Sequence, residues 1–362
     1  MEIDVTLDHE VEHTPRIMQV SSMFDLSVDE KIRLDLHAKL PIEDRPWNMG
    51  LLVGPSGAGK STLSDHLWPD AHRPDDLWTS GAVIDDFPAE LGIREIVGLL
   101  TAVGLGSPPA WVRPYGTLST GEKFRASVAK ALADSSGLVV IDEFTSTVDR
   151  QVAKVASHAV QKAVRRGERQ MIAVTCHYDV IDWLQPDWVY DVSTGEFQWR
   201  SVRPHPPLDL RIFETDSSTW GTFARHHYLS GNLHRAAKCY GAWIGDVQVA
   251  FTSYLHFPHA RTKNIKMGHR LVVLPDYQGL GIGGRLDDWL GQHLFEKGYR
   301  YHNVVSHPAM IRYYSASPRW RSASPRRTGV QNTSTNKSLR AIALDPRRLG
   351  TQSFSYVPPK EN

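Results

Sequence analysis

The composition is short of most features that would announce a special class. Only two cysteines occur among 362 residues, Cys176 and Cys239, so there is no disulfide framework and no metal-ligand spacing. Cys176 falls in an expected buried strand and reads as packing. Lys and Arg number 41 against 40 Asp and Glu, a net charge of +1, so no global field points to nucleic acid or a membrane surface. No apolar run reaches about eighteen residues, which excludes a helix that spans a bilayer. The first stretch, MEIDVTLDHEVEH, is acidic and lacks the basic-then-apolar order of a secretion signal. A reducing, cytoplasmic setting is expected, with no membrane partner. No internal repeat is visible. The hydrophobic (41%) and charged (22%) fractions are those of an ordinary globular protein, and the length predicts two domains.

Against this plain background GPSGAGKST stands out, at Gly54–Thr62. It fits G-x-x-x-x-G-K-[ST] in full, after the apolar run Met49–Val53 and before a helical pattern over 63–68. With Ser56 and Ala58 between them, Gly54, Gly57 and Gly59 let successive N–H groups face a phosphate. Lys60 reaches the β- and γ-phosphates, Ser61 offers its hydroxyl to Mg²⁺, and Thr62 continues the helix whose N-terminus adds partial positive charge.

Strands are expected over 2–7, 16–24 and 31–40. Phe24 is either an aromatic that stacks on adenine or a core phenylalanine. Residues 81–88 read as a short strand into a loop, 90–103 as helix, and 107–114 as a rigid turn-rich connection. LSTGE at 118–122 opens a helix with Thr117 or Ser119 as its cap. The buried strand 138–141 runs into Asp142 and Glu143, the edge where open α/β sheets bind ligands. Asp142 is placed to hold Mg²⁺ and Glu143 to polarise water. A helix over 152–166 follows, then a strand over 171–176 ending at His177.

Taken together, Gly54–Thr62, LSTGE, VVIDE at 139–143, Asp149 and His177 resemble an ABC-type ATPase over about residues 15–200. The resemblance implies that Ser119, Gly121 and Glu122 meet the γ-phosphate held by another subunit. It places Asp149 at the dimer seam, His177 at the γ-phosphate, and Phe24 on the adenine. Since each chain carries one P-loop and one signature, a homodimer with two ATP sites is implied. The family's usual glutamine between P-loop helix and signature has no counterpart between Ser61 and Leu118; Asp86 is the positional candidate.

A proline-rich stretch, SVRPHPPLD at 201–209, breaks the pattern. The expected domains are therefore 1–203, a linker at 204–209, 210–325, and a basic, partly disordered tail at 326–362. In the second domain, strands 239–243 and 247–255 flank a hairpin turn at 244–246. QGLGIG at 278–283 then follows an apolar strand and opens an amphipathic helix. Such a loop turns backbone amides toward a pyrophosphate.

The segment resembles the acyl-CoA motif of GNAT-type acetyltransferases, Q/R-x-x-G-x-G/A, with Gln278, Gly281 and Gly283 in the fixed positions. Residues Val273, Gly279, Leu280, Ile282 and Gly284 complete the implied acetyl-CoA site, and the fold class is α/β followed by an α+β GNAT-like domain. Ala309 and Tyr313 fit the family's later motif, which makes Tyr313 the implied acid for the departing thiolate. His269 is one candidate base for the acceptor amine; His227 with Tyr228, in HHYLS, is another. HHYLS together with Tyr313 also resembles the GNAT-like Mom proteins of phages, which modify adenine in DNA.

Between 312 and 348 there are nine Lys or Arg and one acidic residue, with Tyr314 and Trp320 interleaved. This is either a nucleic-acid contact or a solvated tail. The domain order is similar to that of a prokaryotic and phage group of ABC-type ATPases fused to an acetyltransferase domain. That implies an ATP-hydrolysing, acetyl-CoA-dependent N-acyltransferase with an unidentified amine acceptor. The alternative is a nucleic-acid-associated motor or a Mom-like base-modifying protein.

Overall fold

The computed structural model describes residues 1–10, 12–24, 31–75, 77–201, 209–227, 231–259, 262–323 and 351–359. Most of the expected linker, Tyr228 and the basic stretch 326–350 lie outside the described residues. The first half runs β1 (Glu2–Glu10), α1 (Pro15–Phe24), β2 (Lys31–Lys39), β3 (Met49–Val53), α2 (Lys60–Leu67), α3 (Ile93–Ala102), α4 (Pro108–Trp111) and α5 (Thr120–Asp134). It continues with β4 (Leu138–Ile141), α6 (Arg150–Arg166), β5 (Gln170–Thr175), α7 (Val180–Leu184), β6 (Trp188–Asp191) and β7 (Glu196–Trp199). The second half is β8 (Arg211–Glu214), α8 (Trp220–Ala224), β9 (Lys238–Ile244), β10 (Val247–His256), β11 (Ile265–Val273), α9 (Ile282–Glu296), β12 (Arg300–Val305), α10 (Pro308–Ala316), β13 (Trp320–Ser322) and β14 (Gln352–Tyr356).

The chain forms two compact units. One comprises Met1–Asp75, Ser135–Thr147 and Val164–Arg203. Its sheet has the order β4-β5-β3-β6-β7, parallel except for β7. Strand β3 is buried along its whole length, as a central parallel strand covered on both faces must be. Leu52, Val140, Ile172 and Trp188 anchor the core. Gly50 admits the Trp188 ring: a Cβ there would lie 2.1 Å from it. Strands β1 and β2 pair antiparallel beside this core.

The other unit comprises Asp76–Asp134, Val148–Ala163 and Pro204–Asn362. The signature segment thus shares a compact unit with the C-terminal sheet, a grouping that cuts across the expected boundary near 203. The sheet order is β13-β14-β12-β11-β10-β9-β8. The hairpin β9–β10 turns at Gly245-Asp246, where Gly245 takes φ +59°. Strands β11 and β12 are parallel and pair only over Ile265–Met267 and Arg300–His302. Both continue beyond that contact, so they part toward their carboxyl ends.

Three expectations are corrected. Residues 16–24 are helix, not strand: Pro15 sits in its first turn and the Thr14 hydroxyl caps the Ile17 N–H. Residues 83–86 form a 3₁₀ turn rather than a strand, held by the Val83 N–H donating to the Arg113 carbonyl. Gln352–Tyr356, inside the stretch expected as tail, is a strand of the sheet, paired with β12 and β13.

Candidate functional site

In the first unit the parallel strands deliver their carboxyl ends to one edge. Val53 pairs with Thr175, and Ile141 with Ala173, so Gly54, Asp142 and His177 all follow strands that end together. Gly57 and Gly59 take φ +82° and +81°, and Gly59 caps α2. Ser56 is exposed, the Ala58 N–H donates to the Pro55 carbonyl, and Lys60 Nζ folds back to the same carbonyl at 2.8 Å. Ser61 and Thr62 lie in the first turn of α2. Asp142 and Glu143 are exposed, and Glu143 takes φ +49°, a strained value for a side chain of its size. The strain is held by neighbours: Phe144 N–H donates to Val174 O, and Thr175 Oγ1 to Phe144 O. His177 is half-buried, with its N–H on Thr175 Oγ1. Phe24 ends α1 and is exposed. The glycine turn, two exposed carboxylates and a half-buried histidine thus lie at one sheet edge.

In the second unit LSTGE is a capping box. Ser119 Oγ accepts from the Glu122 N–H, and Glu122 Oε2 accepts from the Ser119 N–H at 2.9 Å. Ser119, rather than Thr117, is the cap. Glu122 is buried and 3.6 Å from Arg113, and so supports the turn. Gly121 is buried. Asp149 caps α6 through the Gln151 N–H. Asp86 accepts from Ser80 and Thr79, backbone and hydroxyl alike. Burial raises its pKa, but those donors outweigh it and hold the carboxyl below its usual value. Its carboxylate closes its own loop.

The second glycine loop lies where β11 and β12 part. Gly279 and Gly281 take φ +89° and +77°, and Gly281 caps the fifteen-residue α9. The N–H groups of Ile282, Gly283 and Gly284 open that helix without intrahelical partners. Leu280 packs with Ile282 and Leu286. Gly284 lies under the Tyr313 ring, where a Cβ would come within 2.5 Å. Tyr313 donates to Asp288 at 2.7 Å, and Trp320 Nε1 donates to the other Asp288 oxygen at 2.6 Å. Burial and Asp288 push the Tyr313 hydroxyl above the ordinary phenol range.

Gln278 is engaged elsewhere: its Oε1 accepts from the Gly106 N–H at 2.6 Å, and its Nε2 donates to the Val273 carbonyl. It therefore braces the loop. Nothing in the sequence around either residue signals this pairing.

The candidate bases fare unevenly. His269 Nε2 accepts from the His234 N–H at 3.2 Å. Burial, with Arg270 and His234 adding to it, lowers its pKa to about 4, leaving it neutral near pH 7 and a weak base. His227 is buried against Trp220. Tyr228 lies outside the described residues. Tyr314 and Trp320, the aromatics interleaved with the basic residues, are both buried in the sheet's core and packed against each other at a tilt. Sequence reasoning also missed Asp287, fully buried and accepting from Tyr314, Tyr301 and Asn303. No group of three or more metal-ligating side chains occurs among the described residues, and none of the described helices is long and apolar enough to cross a membrane.

The family model for the acetyltransferase (GNAT) family matches residues 178–316. Curated relatives match the ATP-binding part. The chain is 27% identical over 208 residues to the lipoprotein-releasing system ATP-binding protein LolD of Granulibacter bethesdensis, covering 46% of this chain and 88% of LolD. It is 32% identical over 93 residues to the ABC transporter ATP-binding protein RamA of Streptomyces coelicolor, covering 25% of this chain and 15% of RamA. The solved ribosomal-protein-S18-alanine N-acetyltransferase of Escherichia coli overlaps 42% of this chain and 97% of its own, at 15% identity and TM-score 0.31. At that score the overlap adds nothing to the topology above. The P-loop sheet edge with its ABC relatives, and the C-terminal sheet with its matching family model, together show a fusion of a part similar to ABC-type ATP-binding proteins and a C-terminal part that the GNAT acetyltransferase family model matches.

Proposed function

We propose that the chain works as a homodimeric, Mg-ATP-hydrolysing ATPase whose C-terminal domain, taken as about 210–325 with β14 added, transfers the acetyl group of acetyl-CoA to an amine. The observation that carries the reading is the pair of left-handed glycine caps, Gly59 and Gly281, each opening a helix beside groups suited to the next chemical step.

At the first loop, the amides of 57–62 and Lys60 bind the phosphates, and Ser61 and Asp142 are the residues that would hold Mg²⁺. When bound, the ion neutralises charge on the phosphate oxygens. Glu143 takes a proton from the attacking water and His177 orients it. Ser119 and Gly121 close on the partner copy's nucleotide, with Asp149 at the seam.

At the second loop, the amides of 279–284 bind the pyrophosphate of the acetyl donor. The neutral amine attacks the thioester carbonyl, the C–N bond forms, the C–S bond breaks, and the thiolate takes the Tyr313 proton. Tyr313 is fully protonated near pH 7, but its bond to Asp288 must open for that transfer. The amine arrives neutral; after the C–N bond forms, its nitrogen loses a proton to water, His269 being a poor acceptor, and Tyr313 regains its own proton from water.

The test is CoA release from acetyl-CoA with labelled-acetate trapping in lysate. Wild type should release CoA and label an acceptor, and Tyr313→Phe should reduce the rate about 100-fold. Equal rates for the two would remove Tyr313 from the reaction; no release with any amine would remove the transferase reading.

A further inference from the structure

The acetyl-donor loop and the Tyr313 helix are both fastened to one residue of the signature-bearing segment. The Gly106 N–H donates to Gln278 Oε1 at 2.6 Å. The Gly106 carbonyl lies 2.9 Å from Nε2 of His307, which caps α10 six residues before Tyr313. That pairing fixes the His307 tautomer: Nε2 donates to Gly106, while Nδ1 accepts from the Ala309 N–H.

Four further contacts surround the joint. Arg125, on the signature helix α5 and wholly buried, reaches Asp276 with Nη2 3.4 Å from its carbonyl and Nη1 3.9 Å from its carboxylate. A Cβ on Gly121 of LSTGE would lie 3.4 Å from the same carboxylate. Ser107 Oγ donates to the His226 carbonyl, and a Cβ on Gly279 would come within 2.7 Å of Ala159 on α6. The segment itself is stiff, because the buried Trp111 Nε1 holds the Leu105 carbonyl at 2.7 Å.

We infer that the turn Gly104–Ser107, with Asp276 beside Gly121, is a joint through which nucleotide engaged at the signature and acetyl-CoA held at 279–284 change each other's affinity. The inference rests on the two binding readings above. Its physical basis is a difference in contacts between states. A triphosphate arriving at Ser119–Gly121 brings negative charge toward the Asp276 carboxylate, which favours moving Asp276. Asp276 lies two residues before Gln278, so moving it moves the donor loop, and Gly106 passes the shift to α10. Linkage then requires equal factors in both directions.

The experiment uses full-length Glu143→Gln, which holds ATP. Acetyl-CoA is titrated without nucleotide and with saturating Mg-ATP, and ATP is titrated with and without acetyl-CoA. Each Kd should change about fivefold or more, by one common factor and in one direction. In Asp276→Asn/His307→Ala, each ligand alone should still bind within about threefold of the parent, while the coupling factor falls to within about twofold. His307→Gln, whose amide can donate to the Gly106 carbonyl, should keep the coupling. If the double variant does not melt cooperatively, Asp276→Asn alone gives the comparison, and its coupling must fall.

Kd values independent of the second ligand, with both ligands binding, overturn the joint and leave both binding readings standing. Coupling undiminished in the variants also overturns it. Failure of acetyl-CoA to bind in any state overturns the donor-site reading and the joint with it.

Discussion

The two glycine loops differ more in what surrounds them than in their own backbone. In the first, Gly57 and Gly59 take φ +82° and +81°; in the second, Gly279 and Gly281 take +89° and +77°. The cap residues agree closely in ψ as well, 18° for Gly59 and 15° for Gly281. Each loop leaves helix-opening amides without intrahelical partners, an arrangement suited to a phosphate. The next residue is Lys60 in one and Ile282 in the other. A fixed cation and two exposed carboxylates suit the breaking of a phosphate bond. Amides alone, beside a tyrosine hydroxyl, suit holding a pyrophosphate while chemistry proceeds elsewhere. In the proposed reading the backbone of each loop suits a phosphate, and the neighbouring side chains distinguish the chemistry.

The largest expected effect tests the first environment. Glu143→Gln should lower steady-state ATP hydrolysis roughly 1,000-fold while nucleotide still binds, with a dimer visible by light scattering in Mg-ATP. Hydrolysis near the wild-type rate would remove Glu143 as base. Next comes a crossed pair. Lys60→Ala should weaken ATP binding roughly 100-fold and leave acetyl-CoA affinity, measured without nucleotide, unchanged. Gly281→Asp, which forces a charged side chain into a left-handed cap, should do the reverse to about the same degree. Calorimetry on both variants distinguishes two phosphate sites from one.

A smaller effect concerns the tyrosine. Asp288 helps hold the Tyr313 hydroxyl high, so Asp288→Asn should move the alkaline limb of the CoA-release profile to lower pH, with less rate loss than Tyr313→Phe. An unmoved limb would mean that Tyr313 does not titrate in the reaction.

The smallest effect is on stability. Burial raises Asp287 to about 6, against hydrogen bonds from Tyr314, Tyr301 and Asn303. Its folded pKa exceeds the unfolded 3.8, so its contribution is full below about pH 4 and lost as pH rises through about 6. His269, held at about 4, contributes the opposite way, present above about 6.5 and lost as pH falls through 4. Over that window they offset. Asp287→Asn removes one of them, so melting of the variant should fall faster than wild type on acidification, by about 1 kcal/mol at pH 5.

The first environment was legible because its signals are local. A strand, a glycine turn and a helix start lie within fifteen residues, and Ser119 and Glu122 make their capping box three residues apart. The helix over 15–24 reads as a strand although Thr14-Pro15 is a start signal, because none of its apolar residues is buried and they mark no core face. In the second environment the glycine loop was legible and its fastening was not. Gln278 fits a ligand-binding motif, yet its partner is 172 residues away. Tyr314 and Trp320 sit among basic residues in the sequence, and only the sheet shows that they are core. Strand β14 carried an alternation, Gln352-Ser-Phe-Ser-Tyr356, masked by the long polar stretch before it.

Gly106 also sets an order of events during synthesis. Its two partners lie 172 and 201 residues downstream. At translation rates of about 5–20 residues per second, that backbone waits roughly 10–40 s for its hydrogen bonds. Arg125 waits almost as long for Asp276. The nascent signature segment is therefore incomplete until the acetyltransferase half has left the ribosome, and a chain stalled before residue 276 presents an unfinished surface to chaperones and proteases.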